Sequence, residues 1–350
     1  MNKNSKIFVA GHRGLVGSAI LQKLEQEGYT DIITKTHEEL DLTNQIPTAN
    51  FFSNEKPEYV FLAAAKVGGI LANNTYRADF IYQNLMIQNN VIHQSYLNNV
   101  KKLLFLGSTC IYPKNASQPL KETSLLTDEL EYSNEPYAIA KIAGIKMSES
   151  YNLQYGTNFI AVMPTNLYGP KDNFDLEKSH VLPALIRKIH LAKLLREGKM
   201  DEVLLDLKTP NIEDAQKILI SYGVTSESVE IWGTGKPMRE FLWSEDMADA
   251  CIHIMESVDF KDLKSNQDDI KNTHINIGTG EDISIKDLAY LIKKIIGFTG
   301  NFAFNSDKPD GTMKKVTDVS KIHQLNWKHK VGLEEGIRKI YDWYLKSNLT

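Results

Sequence analysis

The chain has 350 residues, with 40 Lys and Arg against 44 Asp and Glu and a formal net charge of −4. Hydrophobic residues make up 42% and charged residues 24%, the make-up of a folded globular chain of about two domains rather than a disordered, collagenous or coiled-coil one. There is no basic excess for nucleic acid, two cysteines are too few for a disulfide framework or a Cys-rich zinc site, and no apolar run reaches the roughly 18 residues of a membrane span.

Met1 to Lys6 run straight into a short apolar strand, without the apolar core of a signal peptide, so a soluble cytoplasmic protein with no membrane partner is expected. Residues 7–10 read as a buried strand, 11–17 as a tight loop, and 18–27 as a helix with Ala19, Ile20 and Leu24 on one face before Gly28. Residues 31–34 read as a second strand. Residues 59–65 and 102–106 are near-continuous apolar runs, as in parallel strands covered on both faces. The spacing predicts long helices over 76–97 and 136–155, the second with Pro136 in its first turn, and a strand over 159–163. This alternation predicts an α/β fold: a doubly wound parallel-sheet Rossmann domain over 1–170, with right-handed crossovers. Helices over 181–195, 246–257 and 285–296 and short strands over 240–243 and 274–277 follow. Segments near 238–260 and 272–280 are expected to rejoin the first sheet. The rest of 171–350 is expected to form a smaller C-terminal α/β substrate domain, and 191–229 is an atypical insert without a usable motif.

Gly11-His12-Arg13-Gly14-Leu15-Val16-Gly17 follows a strand and opens a helix. Glycines there allow close backbone approach, and a helix N-terminus attracts a pyrophosphate, so the loop reads as a dinucleotide site. The second strand ends Thr34-Lys35-Thr36-His37, and Arg13 lies inside the loop. These cations favour a 2′-phosphate and therefore NADP(H), while Glu38 and Glu39 keep NAD open. Asp41 and Leu42 are placed to meet the adenine, although a lone Asp also caps turns.

Tyr137-Ala-Ile-Ala-Lys141 puts a phenol and an ammonium on one helix face. With 15 tyrosines, about one such spacing is expected by chance, and Tyr290 and Lys294 match it too. Context separates them, because Ser108 ends a predicted strand about thirty residues before Tyr137 and no such serine precedes Tyr290. A phenol of pKa near 10 becomes a useful acid when a cation stabilises its phenolate, and Ser108 can hydrogen-bond the same substrate carbonyl.

At this point the chain resembles the extended short-chain dehydrogenase/reductases acting on sugar nucleotides, and within them the GDP-L-fucose synthases. The resemblance rests on 11–20, 63–70, Ser108-Thr-Cys-Ile-Tyr-Pro113, 134–145, 164–170 and 237–242, and departs from the family pattern over 191–229. It implies epimerisation of GDP-4-keto-6-deoxy-D-mannose at C3 and C5, then NADPH reduction at C4, in a homodimer formed through 76–97 and 136–155. It implies that Cys110 and His180 are the epimerisation pair. It places Lys188, Trp232, Arg239 and Asp310 on the GDP-sugar, and Ala64, Leu106, Gly107, Pro164, Thr165, Asn166, Leu167 and His180 along the cofactor. His37 stands where the family has an Arg. Two other readings remain open: an NAD-dependent 4-epimerase or 4,6-dehydratase of the same fold, and a non-catalytic redox sensor. Thr109-Cys110 in place of an Asp-Glu pair argues against dehydration, and the complete Ser108, Tyr137 and Lys141 set argues against the sensor.

Overall fold

Alternate residues of β1 (Ile7–Ala10) point to opposite faces of a sheet, and helices cover both. Ile7 and Val9 cluster with Ala19, Ile20 and Leu24 of α1 (Leu15–Gln26). After β2 (Ile32–Ile33) comes α2 (Gln45–Glu55), whose Phe51 and Phe52 cluster with Phe8 and Ala10 on the other face. A strand covered twice has no polar side, which is why these segments read as unbroken apolar runs. The protein, seen as a computed structural model, is described over residues 1–264, 270–308 and 310–347.

The chain continues through β3 (Tyr59–Leu62), α3 (Ile70–Thr75), α4 (Arg77–Leu97), β4 (Lys102–Leu106), α5 (Glu135–Tyr155) and β5 (Phe159–Pro164). With the strand Ile275–Ile277 they form a six-stranded sheet in the order Ile275–Ile277, β5, β4, β3, β1, β2, parallel at every pairing. The order turns back between β1 and β3, and the carboxyl ends at such a switch point are where open α/β sheets bind ligands. Phe8, Phe61 and Phe105 are at most 1% exposed, and each contributes on the order of 2–3 kcal/mol of burial. Lys102, 4% exposed at the start of β4, is tolerated because its amine donates to the carbonyls of Ile254 (2.8 Å) and Met255 (3.1 Å) at a helix end.

From Tyr168 the chain builds a second unit, beginning with α6 (Val181–Arg196), α7 (Met200–Leu207) and α8 (Ile212–Ser221). It rejoins the first unit over Phe241–Gly280 with α9 (Ser244–Ser257), and adds α10 (Ile285–Ile296) to the second. Val316–Lys330, with α11 (Ser320–Gln324), belongs to the first unit, and α12 (Leu333–Ser347) ends the second. In the second unit Ser228–Trp232 pairs in parallel with Asn301–Asn305, and Met238–Arg239 lies between Ile283–Ser284 and Lys314–Lys315.

Three sequence expectations change in detail, the first being that Val316–Lys330, expected in the second domain, clusters with the first unit. The second strand is paired only at Ile32 and Ile33, shorter than 31–34 suggests. The mixed stretch after Arg196 holds two helices. The second opens with a reciprocal cap: Asp214 N donates to Asn211 Oδ1 and Asn211 Nδ2 donates to Asp214 Oδ2, each at 2.9 Å. Among the described residues, no helix is long and apolar enough to cross a membrane.

Candidate active site

The loop after β1 is shaped by two close approaches. Gly11 turns at φ +88°, and a Cβ on it would stand 2.6 Å from Ala64 N at the end of β3. A Cβ on Gly17 would stand 2.1 Å from Gly11 O. Gly14 has room, its nearest neighbour being Gly11 O at 3.5 Å, and it caps α1 without any side-chain bond to the first amides. A helix start with positive dipole, no side-chain cap and an open cradle fits the diphosphate of a dinucleotide. His12, Leu15 and Val16 are half-buried in this loop and Arg13 is exposed.

Beyond β2, Lys35 is half-buried and His37 is exposed, with its Nδ1 3.7 Å from Asp41 Oδ1. Glu39 accepts from Thr36 N at 2.7 Å. That bond, with the charges of Lys35 and Arg13, holds its carboxyl below the usual carboxylate range. Glu39 is thus committed to its own turn between two cations. Asp41 also caps its turn, accepting from Thr43 N (2.9 Å) and Thr43 Oγ1 (2.7 Å), and the Leu42 carbonyl accepts from Asn90.

At the end of β4, Gly107 N donates to Val162 O at 2.8 Å, and Ser108 opens a short 3-10 turn, Thr109–Ile111. The Ser108 hydroxyl accepts from Cys110 N at 3.4 Å, and Cys110 is buried two residues on. One helical turn separates Tyr137 and Lys141 on α5. The Lys141 amine, 3% exposed, donates to Leu106 O at 2.7 Å and lies 5.6 Å from the Tyr137 ring centre. Burial drives the two groups in opposite senses: the Tyr137 phenol is pushed up and the Lys141 amine is lowered to about 8. Cys110 is near enough for its charge to act on both. Across the sheet edge, Thr165 N donates to Ile277 O at 3.0 Å; Pro164 ends β5, and Asn166 and Leu167 follow half-buried.

The Lys141 shift has a sign that can be checked. A lysine lowered from 10.5 to about 8 binds fewer protons folded than unfolded between those values, so its burial penalty is complete below pH 8 and vanishes above 10.5. Lys141→Met is therefore expected to melt above wild type at pH 7, with the gap closing as pH approaches 10.5 in paired thermal scans. A gap independent of pH would contradict the shift.

The second unit carries the other expected residues. His180 is the N-cap of α6; it is solvent-exposed, yet the surrounding protein desolvates its ring and lowers its pKa. Lys188 is buried, donates to Glu230 O at 2.8 Å and is lowered to about 8 by burial. Glu230 lies two residues before Trp232, which is 58% exposed, with the Lys308 amine 5.2 Å from the centre of its ring. Asp310 accepts from Thr234 N (2.9 Å) and Thr234 Oγ1 (2.6 Å), and its charge reaches Arg239. Arg239 donates to the carbonyls of Met238 (2.8 Å) and Thr312 (2.5 Å). Lys188, Trp232, Arg239 and Asp310 thus gather around the end of one strand and the loop after it.

Several positioning residues escaped the sequence reading. Asn84, buried on α4, clamps the loop after β3 by accepting from Lys66 N and donating to Lys66 O, both at 3.0 Å. Nothing local marks that pairing. Thr234 and Lys308 were also missed, although Trp232-Gly-Thr-Gly235 is a glycine-framed turn that could have been read. Tyr290, the competing Tyr-x-x-x-Lys match, packs edge-on to Phe302 at 5.2 Å on an amphipathic helix, as a structural residue does.

Residues 7–278 match the NAD dependent epimerase/dehydratase family. GDP-L-fucose synthase 1 of Arabidopsis thaliana is 51% identical over 346 residues, covering 99% of this chain and 95% of that one. A solved GDP-6-OMe-4-keto-L-xylo-heptose reductase from Campylobacter jejuni is 55% identical, with TM-score 0.96 and 99% of both chains covered. A GDP-mannoheptose C4 reductase from the same organism, solved with NADP bound, is also 55% identical, with TM-score 0.90 and 99% of both chains covered. So full a superposition on the first reductase leaves no room for a long segment peculiar to this chain, and the 191–229 region is shared with it.

Proposed function

The chain belongs to the NAD dependent epimerase/dehydratase family, and from that premise we propose that it is a GDP-L-fucose synthase: it epimerises GDP-4-keto-6-deoxy-D-mannose at C3 and C5 and reduces C4 with NADPH. One observation carries the reading: Tyr137, Lys141 and Cys110 stand together at the carboxyl edge of the sheet that bears the glycine loop.

Carbons beside a ketone are acidic because the carbanion delocalises onto the carbonyl oxygen. Cys110 and His180 serve them as a pair, one group removing the proton and the other returning one on the opposite face. With its pKa lowered, the His180 ring rests neutral near pH 7 and can accept; to donate, it needs a neighbouring anion such as the substrate diphosphate. Ser108 and Tyr137 hydrogen-bond the C4 oxygen and stabilise the negative charge that develops there. NADPH, when bound, supplies the hydride to C4. The phenol of Tyr137, held protonated by burial, gives its proton to the C4 oxygen, and the Lys141 ammonium, oriented by Leu106 O, stabilises the phenolate.

Gly11, Gly14 and Gly17 hold the cofactor diphosphate, with Arg13 and Lys35 on its 2′-phosphate and His37 beside them. Lys188 and Arg239 bind the GDP diphosphate, and Trp232 and Asp310 the guanine and sugar. A cytoplasmic homodimer belongs to the same proposal. Exposed Tyr82 and Leu97 on α4, and Leu153 and Tyr155 on α5, offer apolar surface for it.

The test supplies the keto-sugar and NADPH in heavy water and identifies the product by NMR. GDP-L-fucose carrying deuterium at C3 and C5 is expected. A second reading, C4 reduction of a GDP-keto-heptose without epimerisation, is favoured by the 55% identity to the two Campylobacter reductases. An alcohol formed without deuterium would replace the first reading with the second.

A further inference from the structure

The α7–α8 hairpin has no part in the chemistry above, yet it is tied to the segment that ends in His180. Asp206, near the end of α7, is 5% exposed. One carboxylate oxygen accepts from Arg187 Nε at 2.8 Å and the other from the Tyr344 hydroxyl of α12. Arg187, on α6, extends the link: Nη2 donates to the Asp206 carbonyl at 2.7 Å, and Nη1 donates to Phe174 O at 3.1 Å. The Phe174 ring sits 4.6 Å from the Tyr344 ring, so backbone and side chain of this residue are both held. At the other end of the hairpin, the carboxylates of Glu177 and Asp175 lie near enough to act on Tyr222, which follows α8.

From Phe174 to His180 the path is short and internally bonded. Asp175 Oδ1 accepts from Glu177 N (3.0 Å) and Lys178 N (2.9 Å), Asp175 O accepts from Ser179 N (3.0 Å), and His180 O accepts from Ala184 N (3.1 Å). These bonds join Phe174 to the backbone of residue 180, the N-cap of α6.

We propose that Asp206 is a positioning residue for His180: through Arg187 it anchors Phe174, and the bonded 174–180 turn transmits that anchor. The α7–α8 hairpin is a brace for proton transfer. This rests on His180 acting as a proton-transfer group. Proton transfer falls steeply with misplacement, a shift of about 1 Å costing up to 100-fold.

The experiment compares wild type, Asp206→Asn, His180→Asn and the double variant by deuterium uptake into the keto-sugar and by NADPH affinity. Asp206→Asn keeps the size and removes the charge. It is expected to slow uptake by roughly 10- to 100-fold while NADPH affinity changes far less, because the glycine loop belongs to the other unit. The double variant should be no slower than His180→Asn alone, the non-additivity of residues acting as one. Wild-type uptake in Asp206→Asn overturns the proposal, as does a further slowing of the double variant by the same factor. Normal uptake in His180→Asn instead refutes the role of His180 itself. Should Asp206→Asn fail to fold, Tyr344→Phe removes one hydrogen bond and leaves the ion pair. It should slow uptake in the same sense, less strongly and again without adding to His180→Asn, and an unchanged rate overturns the brace.

Discussion

Tyr137→Phe is expected to lower NADPH oxidation by about 10²- to 10⁴-fold, the range for loss of a positioned general acid, while deuterium uptake beside the ketone continues. The two halves separate because the phenol's proton is needed when the C4 oxygen becomes an alcohol, whereas the enolate needs only hydrogen-bond donors around that oxygen. Ser108 still supplies one of these. The variant keeps the ring, and with it the edge-on contact to Phe80 at 6.4 Å, so packing is nearly conserved. NADPH affinity is expected to hold, since Tyr137 lies on α5 and the glycine loop proposed for the diphosphate opens α1. A variant that oxidises NADPH at the wild-type rate would remove Tyr137 from the reaction. Equal loss of oxidation and uptake would mean that the phenol is needed for the enolate as well.

Cys110→Ala should have a comparable effect on the other half. Deuterium uptake at the carbon served by the thiol is expected to fall by about 10²- to 10⁴-fold, and the NADPH-dependent product to become a C4 alcohol that is not epimerised there. Cys110 sits two residues beyond the β4 end, close to the Tyr137–Lys141 couple. The other cysteine is the control. Cys251 is fully buried in α9 with its thiol pushed up by burial, and Cys251→Ala should exchange normally. Exchange in wild type that survives Cys110→Ala would assign the proton transfer to another group. Where wild type itself takes up no deuterium, the chain is a plain ketoreductase.

The parts of the site that were legible share a local signature. A glycine loop between a strand and a helix, a Tyr and Lys one turn apart, and a serine at a strand end are each set by a few adjacent residues. The physics that makes them functional acts over the same distance: positive φ, helix dipole, one face of one helix. Asp41 shows the limit, for its turn-capping bond to Thr43 is also local, and the residue pattern fits an adenine contact equally well. The α8 cap at Asn211 is local as well, but the surrounding Lys, Glu, Asp and Leu obscure the apolar stripe that would mark a helix there.

By itself, then, the amino-acid order determined the parallel sheet, the dinucleotide loop and the Tyr137–Lys141 couple, because strand and helix periodicity and turn chemistry are written in neighbouring residues. Tertiary structure alone decided the rest. Asp310 meets Thr234 across 76 positions, Asn84 reaches back 18 to Lys66, Asp206 holds Arg187 from 19 away, and Val316–Lys330 returns to the first unit. Such partners are selected by the burial of polar groups that must find one another once water is excluded, and no short-range pattern encodes which ones will meet.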